Sequence, residues 1–238
     1  MNDILTAEQL EILRRLDACT VANAVETFGE RLRNEGFADH SVRCLFPQFP
    51  PTIGYAATIK IRGSSPATAG PPFEENTEWW DYILTLPPPR VVVAQDVSSR
   101  PGLGSVVGVV HINILRRLEC VGLVTNGAVR NLPAAEKERF QLFAGSVTVS
   151  HAYIHVVEFG KPVEIGGLKI QSGDLLHGDL HGVQTIPLDV AAKIPRVAAE
   201  IVAREQEIVM LCHSNEFTLE KLRAAIAKRN AETERPRQ

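Results

Sequence analysis

A strand–helix–strand pattern in the middle of the chain constrains its fold most. Residues 91–94 form a short apolar run, residues 104–118 have the periodicity of a helix, and residues 120–125 are again apolar and β-branched. Such a βαβ unit has parallel strands, and the loops at the carboxyl ends of those strands carry functional residues. The pattern therefore predicts an α/β protein with its site in the loops at residues 95–103 and 126–133.

Helices are expected on both sides of this unit. They are predicted over residues 7–17, 21–28, 79–84 and 188–212, and after residue 218. Thr6 and Gln9 have the spacing of a capping box before the first helix, and Thr20 is the expected cap of the second. Pro195 either kinks the long helix or marks its start, because proline lacks the amide hydrogen that a helix interior needs.

Short strands separated by glycine turns predict a β-rich layer. They are predicted over residues 54–61, 156–159, 168–170, 175–177 and 183–186. No compositional break divides the chain, so a single domain over residues 1–238 is expected, with helical segments at residues 1–30 and 188–238. The pair Trp79 and Trp80 is interpreted as core or interface packing, with a ligand pocket as the alternative.

Composition and charge exclude several classes of protein. The chain of 238 residues has no apolar run long enough to span a membrane, and its formal net charge of −3 with scattered basic residues gives no reason to expect nucleic acid as a partner. The four cysteines are far apart in the sequence, so they are interpreted as buried thiols rather than as a zinc site or a disulfide framework. A cytoplasmic protein with no membrane partner is therefore expected.

Arg130 is the first candidate binding residue. It follows the second strand of the βαβ unit, and its guanidinium has a fork of donors that matches a carboxylate. Gly102, Gly104 and Gly108 precede the helix, and glycine lets a ligand approach the amide groups at a helix start. A carboxylate held between these amides and Arg130 is one interpretation. The alternative is a solvated arginine beside glycines that only ease the turn.

Two motifs in register resemble the RraA-like family, which also contains 4-hydroxy-4-methyl-2-oxoglutarate and 4-carboxy-4-hydroxy-2-oxoadipate aldolases. GVVH at residues 108–111 and GLVTNGAVRN at residues 122–131 resemble that family's G-[EGD]-x-x and GxxxxGxxRD patterns, and residues 173–187 resemble its PGDxxxxDxxGVxxxP signature. The resemblance implies a layered α/β/β fold with a swivelling-domain-like β layer, assembled as a homotrimer or homohexamer. In that arrangement the turn at Asp179 shapes the sheet and is not catalytic.

The same resemblance assigns roles to individual residues. Arg130 matches the arginine that binds the oxygens of a pyruvyl substrate, and the backbone of Gly108, Val109, Val110 and His111 matches the stretch that holds its carboxylate. Asn131 stands where the family has an aspartate that ligates Mg²⁺ or Mn²⁺. Because asparagine offers only a neutral oxygen, the site is expected to bind metal weakly, to recruit another ligand such as His111, or to have lost both the metal and the lyase activity.

Asp96 and four further histidines have two interpretations each. Asp96 ends the first strand of the unit, so it is a candidate catalytic proton relay or the cap of the following turn. His151, His155, His177 and His181 suggest a metal cluster, but a structural role is favoured for all four. The segment that contains His151 and His155 is β-branched and aromatic, which predicts one strand with both side chains on one face.

The expected function follows from the resemblance. A metal-assisted carbon–carbon lyase is expected to act on a small 2-oxo acid, by retro-aldol cleavage of a 4-hydroxy-2-oxo dicarboxylate or by oxaloacetate-type decarboxylation, and to give pyruvate. The alternative is a protein-binding regulator without catalysis, of the ribonuclease-inhibitor type.

Overall fold

The computed structural model describes residues 4–67 and 77–233 of the chain. Its helices are α1 (Ala7–Arg14), α2 (Ala18–Glu26), α3 (Glu78–Leu84), α4 (Val109–Arg117), α5 (Leu132–Lys137), α6 (Leu188–Ala191), α7 (Ile194–His213) and α8 (Leu219–Thr233). Its strands are β1 (Arg43–Cys44), β2 (Thr52–Arg62), β3 (Arg90–Asp96), β4 (Cys120–Val129), β5 (Gln141–Val147), β6 (His155–Phe159), β7 (Val163–Ile165), β8 (Leu168–Ile170), β9 (Leu175–Asp179) and β10 (Gly182–Ile186).

Four parallel strands form the centre of the main sheet. Its order is β1-β5-β4-β3-β2-β9-β10, and β2 to β5 are parallel. The antiparallel strands β9 and β6 both pair with β2, β9 with its first part and β6 with its last part. The crossovers between these strands carry α3, α4 and α5. The predicted βαβ unit is therefore confirmed as β3-α4-β4, and all four parallel strands end at the same edge of the sheet.

Alternating side chains bury both faces of the sheet. Val92 and Ala94 of β3 pack with Ile112 and Leu115 of α4 in one cluster, whereas the neighbouring Val91 and Val93 point to the opposite face. There they pack against the separate hairpin formed by β7 and β8, with Val163, Ile165, Leu168 and Ile170. Helices, sheet and hairpin thus form the three layers of the expected α/β/β fold.

The terminal helices pack together at the antiparallel side of the sheet. Leu10 and Leu13 of α1 share a cluster with Val197 of α7 and with Tyr55 of β2, and the Tyr55 hydroxyl accepts a hydrogen bond from the Leu5 amide at 2.9 Å. The capping box at Thr6 and Gln9 is confirmed. The long C-terminal helix is interrupted before α7, so Pro195 lies in the first turn of α7 and marks its start.

The cap predicted for the second helix was wrong. The helix begins at Ala18, and Asp17 is its cap because the Asp17 carboxylate accepts hydrogen bonds from the Thr20 amide at 2.9 Å and the Thr20 hydroxyl at 2.6 Å. The expectation of four buried thiols was also wrong. Cys120 is buried, Cys44 is half-buried, and Cys19 and Cys212 are exposed.

The predicted boundaries around α4 and β4 also need correction. The helix begins at Val109 rather than near residue 104, because Ser105 pairs with Ala128 as a parallel bridge and the Val106 amide donates to the Ala128 carbonyl oxygen at 3.4 Å. Residues 126–127 therefore continue β4 through an irregularity in register and do not form a tight turn. Among the described residues, no helix combines the length and apolar character that crossing a membrane requires.

Candidate carboxylate-binding site

The candidate site lies at the carboxyl edge of the parallel strands. Three segments meet there: residues 97–108 between β3 and α4, residues 130–131 after β4, and residues 148–154 between β5 and β6. They surround a cavity of about 300 Å³, whose polar lining includes Ser105, Gly108, His111, Arg130, His151 and His155. Open α/β sheets bind ligands in such a crevice, and this volume is enough for a small molecule.

Arg130 packs directly against the start of α4. A Cβ placed on Gly108 would lie 3.2 Å from Arg130 Nη2 and 3.5 Å from Arg130 Nε, so only glycine leaves the guanidinium its present position without adjustment. The Nε atom is buried and has no hydrogen-bond partner among the described residues. Nη1 donates one long hydrogen bond of 3.5 Å to the carbonyl oxygen of Val149. The guanidinium therefore has donors left for a ligand.

The first turn of α4 supplies a second set of donors. The leading amide groups of a helix have no acceptor within the helix, and Gly108 has no side chain that caps them. The positive end of the helix dipole also favours an anion at this position. Val109 and Val110 are 46% and 68% exposed, so their side chains lie at the surface and a ligand would use only their backbone.

Asn131 follows Arg130 and is the N-cap residue of α5. Its backbone is left-handed, with φ 56°, which asparagine tolerates better than most residues. Its carbonyl oxygen accepts hydrogen bonds from the Ala134 and Ala135 amides at 2.9 and 3.2 Å. Its side chain reaches toward the start of α4, because the Cβ placed on Gly108 would lie 3.6 Å from Asn131 Oδ1.

The donor atoms present do not fit Mg²⁺ or Mn²⁺. These cations favour charged oxygen ligands, whereas Asn131 offers one neutral amide oxygen and the described lining of the cavity contains no aspartate or glutamate. Within residues 4–67 and 77–233, no three histidine, cysteine, aspartate or glutamate side chains come close enough together to hold a metal ion. His111 lines the cavity but does not complete such a set.

Asp96 holds the loop that leads to α4. Its carboxylate accepts hydrogen bonds from the Ser98 amide at 2.9 Å and the Gly102 amide at 2.8 Å. Its own amide donates to Asn126 Oδ1 at 2.7 Å, which ties the ends of β3 and β4 together. Asp96 is not among the described residues that line the cavity. This geometry is that of a turn cap, and a catalytic proton relay stays a prediction.

The structure separates the four histidines that the sequence grouped. His151 lies in the loop after β5 and His155 begins β6, so they do not share one strand as predicted. Their Nδ1 atoms lie 2.9 Å from the carbonyl oxygens of Ala152 and Tyr153, and both residues line the cavity. The available signal was their position after the fourth parallel strand, β5, since the loop that follows it starts at the same edge of the sheet.

His177 and His181 belong to the hairpin of β9 and β10, which joins the sheet to α2. Asp179 Oδ2 accepts a hydrogen bond from the Ala18 amide at 2.8 Å, and Asp179 Oδ1 accepts one from the His181 amide at 2.8 Å. His177 Nε2 lies 3.1 Å from the carbonyl oxygen of Leu16. Burial lowers the pKa of His177, although the nearby Asp179 opposes that shift. These contacts are of the kind expected for a structural role, which stays a prediction for both histidines.

The fold and site together define a layered α/β protein with a crevice at the edge where its parallel strands end, lined by Arg130 and the start of α4. The chain belongs to the RraA-like family, since the Aldolase/RraA family model matches residues 18–184. A curated relative from Halalkalibacterium halodurans, named "Putative 4-hydroxy-4-methyl-2-oxoglutarate aldolase", is 28% identical over 109 residues. That match covers 44% of this chain and spans about half of the relative's length, 52%.

Solved structures share the whole fold at low sequence identity. An uncharacterized protein from Pseudomonas syringae is 21% identical with a TM-score of 0.72, and the match covers 94% of this chain and 96% of that one. RraAS2 from Streptomyces coelicolor, described as an unusual member of the RNase ES inhibitor RraA protein family, is 20% identical with a TM-score of 0.68. It is matched over 87% of this chain and 99% of its own.

Proposed function

We propose that the cavity binds the carboxylate of a small 2-oxo acid and that the protein is a carbon–carbon lyase that releases pyruvate. The observation that carries this proposal is the guanidinium of Arg130, which lies against the start of α4 with a buried Nε that has no partner in the described residues. Guanidinium and helix-start amides are the donors that proteins use for carboxylates. The name of the curated relative supports the lyase class.

The same donors suit the charge that develops during cleavage. When a bond between C3 and C4 of a 2-oxo acid breaks, its electron pair moves onto the C2 carbonyl oxygen and forms an enolate. Donors already aimed at that oxygen lower the barrier, because they need no reorganisation during the reaction. Retro-aldol cleavage and decarboxylation share this enolate, so the proposal includes both reactions.

The family resemblance implies a divalent cation, but the donor set around Asn131 does not fit one. The proposal therefore assigns the stabilisation of the enolate to Arg130 and the α4 amides. Assays with MgCl₂, with MnCl₂ and with a chelator test this assignment. We expect the protein to form pyruvate in the presence of the chelator as well.

The direct experiment measures pyruvate release by the purified protein. The substrates are oxaloacetate and 4-hydroxy-4-methyl-2-oxoglutarate, and Arg130→Lys is the matched variant because it keeps the charge and loses the fork of donors. We expect turnover of at least one substrate in the native chain and a loss of about 100-fold in the variant, the scale of losing one oxyanion donor.

Absence of turnover on both substrates under all three metal conditions would contradict the lyase proposal. A macromolecular partner that co-purifies in that case would favour the regulator of the ribonuclease-inhibitor type. Assembly as a homotrimer or homohexamer and a cytoplasmic location are further proposals from the resemblance. Sedimentation analysis and cell fractionation check them.

A further inference from the structure

Retro-aldol cleavage needs a base that Arg130 cannot supply. The hydroxyl group on C4 of the substrate must lose its proton as the C3–C4 bond breaks, and an arginine side chain stays protonated in proteins. The described lining of the cavity contains no aspartate or glutamate, but it contains His111, His151 and His155. Imidazole is the side chain most often used to transfer protons near neutral pH.

His155 has the geometry of a general base. It is the first residue of β6 and pairs with Arg62 of β2, and the residue is partly buried and lines the cavity. Its Nδ1 lies 2.9 Å from the carbonyl oxygen of Tyr153. Because a carbonyl oxygen only accepts hydrogen bonds, Nδ1 carries the proton of the neutral ring. The lone pair of that ring is then on Nε2, which is the nitrogen that can accept a proton.

His151 lies on a loop, whereas His155 lies on a strand. Both rings use Nδ1 to contact a backbone carbonyl, but His151 is exposed and lies in the loop between β5 and β6. Groups on regular elements are held more accurately than groups on loops, and proton transfer needs a position within hydrogen-bond reach. His151 is therefore a matched comparison for His155: the same side chain, the same cavity and the same Nδ1 contact.

We propose that His155 is the general base and acid of retro-aldol cleavage, which rests on the lyase function proposed above. Nε2 takes the proton of the C4 hydroxyl, the C3–C4 bond breaks, and the electron pair of that bond moves onto the C2 carbonyl oxygen beside Arg130. The C4 fragment leaves as a carbonyl compound. Protonated His155 then returns the proton to C3 of the enolate, which becomes pyruvate, and the side chain is neutral again.

The proposed role of His155 predicts different effects on the two lyase reactions. In decarboxylation of oxaloacetate no hydroxyl proton has to be removed: CO₂ leaves, the electron pair moves onto the C2 carbonyl oxygen, and the enolate takes a proton from water. His155 is therefore required for retro-aldol cleavage and dispensable for decarboxylation, whereas Arg130 is required for both.

The test compares His155→Gln with His151→Gln on both substrates. In His155→Gln we expect kcat for cleavage of 4-hydroxy-4-methyl-2-oxoglutarate to fall about 100-fold, the usual scale of general base catalysis, with KM unchanged within about twofold. In His155→Gln, oxaloacetate decarboxylation stays within about threefold of the native rate, and His151→Gln loses less cleavage activity than His155→Gln does. His155→Ala is the second variant, and added imidazole restores its cleavage activity.

Other outcomes overturn the assignment. Equal loss of both activities in His155→Gln indicates a structural role, and unchanged cleavage in that variant excludes His155 as the base. Loss of cleavage in His151→Gln alone transfers the role to His151. Failure of imidazole to restore His155→Ala also counts against it. These results leave the proposed function intact, which fails separately if the native protein forms pyruvate from neither substrate.

Discussion

The cavity at Arg130 and the hairpin at Asp179 differ in how their charged groups are satisfied. Each place has a charged side chain among glycines and histidines. The Asp179 carboxylate accepts hydrogen bonds from the Ala18 amide, the His181 amide and the His181 ring. The Arg130 guanidinium makes one long hydrogen bond of 3.5 Å, and its buried Nε has no partner in the described residues.

This difference separates a structural charge from a binding charge. A buried polar group whose partners all come from the protein stabilises the fold, and removing it leaves those partners unsatisfied. A partly buried cation with unused donors gains its missing hydrogen bonds from a ligand instead. This contrast is the reason why a binding role is proposed for Arg130 and a structural role for Asp179, and four predictions test it.

Asp179→Asn is expected to have the largest effect, on stability. The Ala18 and His181 amides bond to different oxygens of the carboxylate. Asparagine keeps only one accepting oxygen, so one of these amides loses its acceptor and we expect the free energy of unfolding to fall by about 3 kcal/mol. Urea denaturation measures it. Pyruvate affinity of the folded variant, measured by calorimetry, should stay unchanged. A loss below about 1 kcal/mol would show that the carboxylate does not hold the hairpin.

Asn131→Asp adds a charged ligand beside Arg130, whose guanidinium has unused donors. We expect Mn²⁺ affinity to rise about tenfold, because ligand charge tunes the affinity of oxygen sites for hard cations. Calorimetric titration of Mn²⁺ measures this, with Asn131→Ala as the matched control that adds no charge. Equal Mn²⁺ affinity in the native protein and Asn131→Asp would contradict the role of position 131 as a metal-ligand position.

His177 makes the stability of the hairpin depend on pH. Burial lowers its pKa in the folded protein, so the unfolded chain binds the proton more readily. The contribution of neutral His177 to the free energy of unfolding is complete above the ordinary histidine pKa of about 6.5. It is lost as the pH falls below that value, and the free energy of unfolding then changes by at most about 1.4 kcal/mol per pH unit.

Unfolding in urea at about pH 7.5 and pH 5.5 checks this dependence. His177→Gln removes the titrating group, so the difference in unfolding free energy between the two conditions should become smaller. An unchanged difference would assign the pH dependence to other groups. Pyruvate binding is not expected to follow this titration, since the hairpin is not part of the cavity lining.

Gly108→Ala tests the contact between α4 and Arg130 and should have the smallest effect. The new Cβ would lie 3.2 Å from Arg130 Nη2, so the guanidinium has to move by a few tenths of an ångström. We expect pyruvate affinity to fall about threefold, because charge-assisted hydrogen bonds depend on geometry. Val109→Ala, at an exposed position, is the control. Equal affinity in Gly108→Ala and the native protein would separate Gly108 from the binding site.

The parts of the fold that were predictable depend on local chemistry. The βαβ unit follows from apolar periodicity, and the capping box at Thr6 follows from residue spacing, because neighbours in sequence decide both. The cap at Thr20 was mispredicted since Asp17, three residues earlier, is an equally suitable cap. The start of α4 was misplaced because the pairing of Ser105 with Ala128 is not visible in a local pattern.

The sequence by itself determined the α/β class, the family resemblance and the choice of Arg130 and Gly108 as binding residues. Only the tertiary structure decided which charges already have partners and that His155 faces the same cavity. The reason is physical: hydrogen bonds join atoms that are distant along the chain, as between Asp179 and Ala18. A residue type reveals which bonds a side chain is able to make, whereas its folded surroundings decide which of them remain for a ligand.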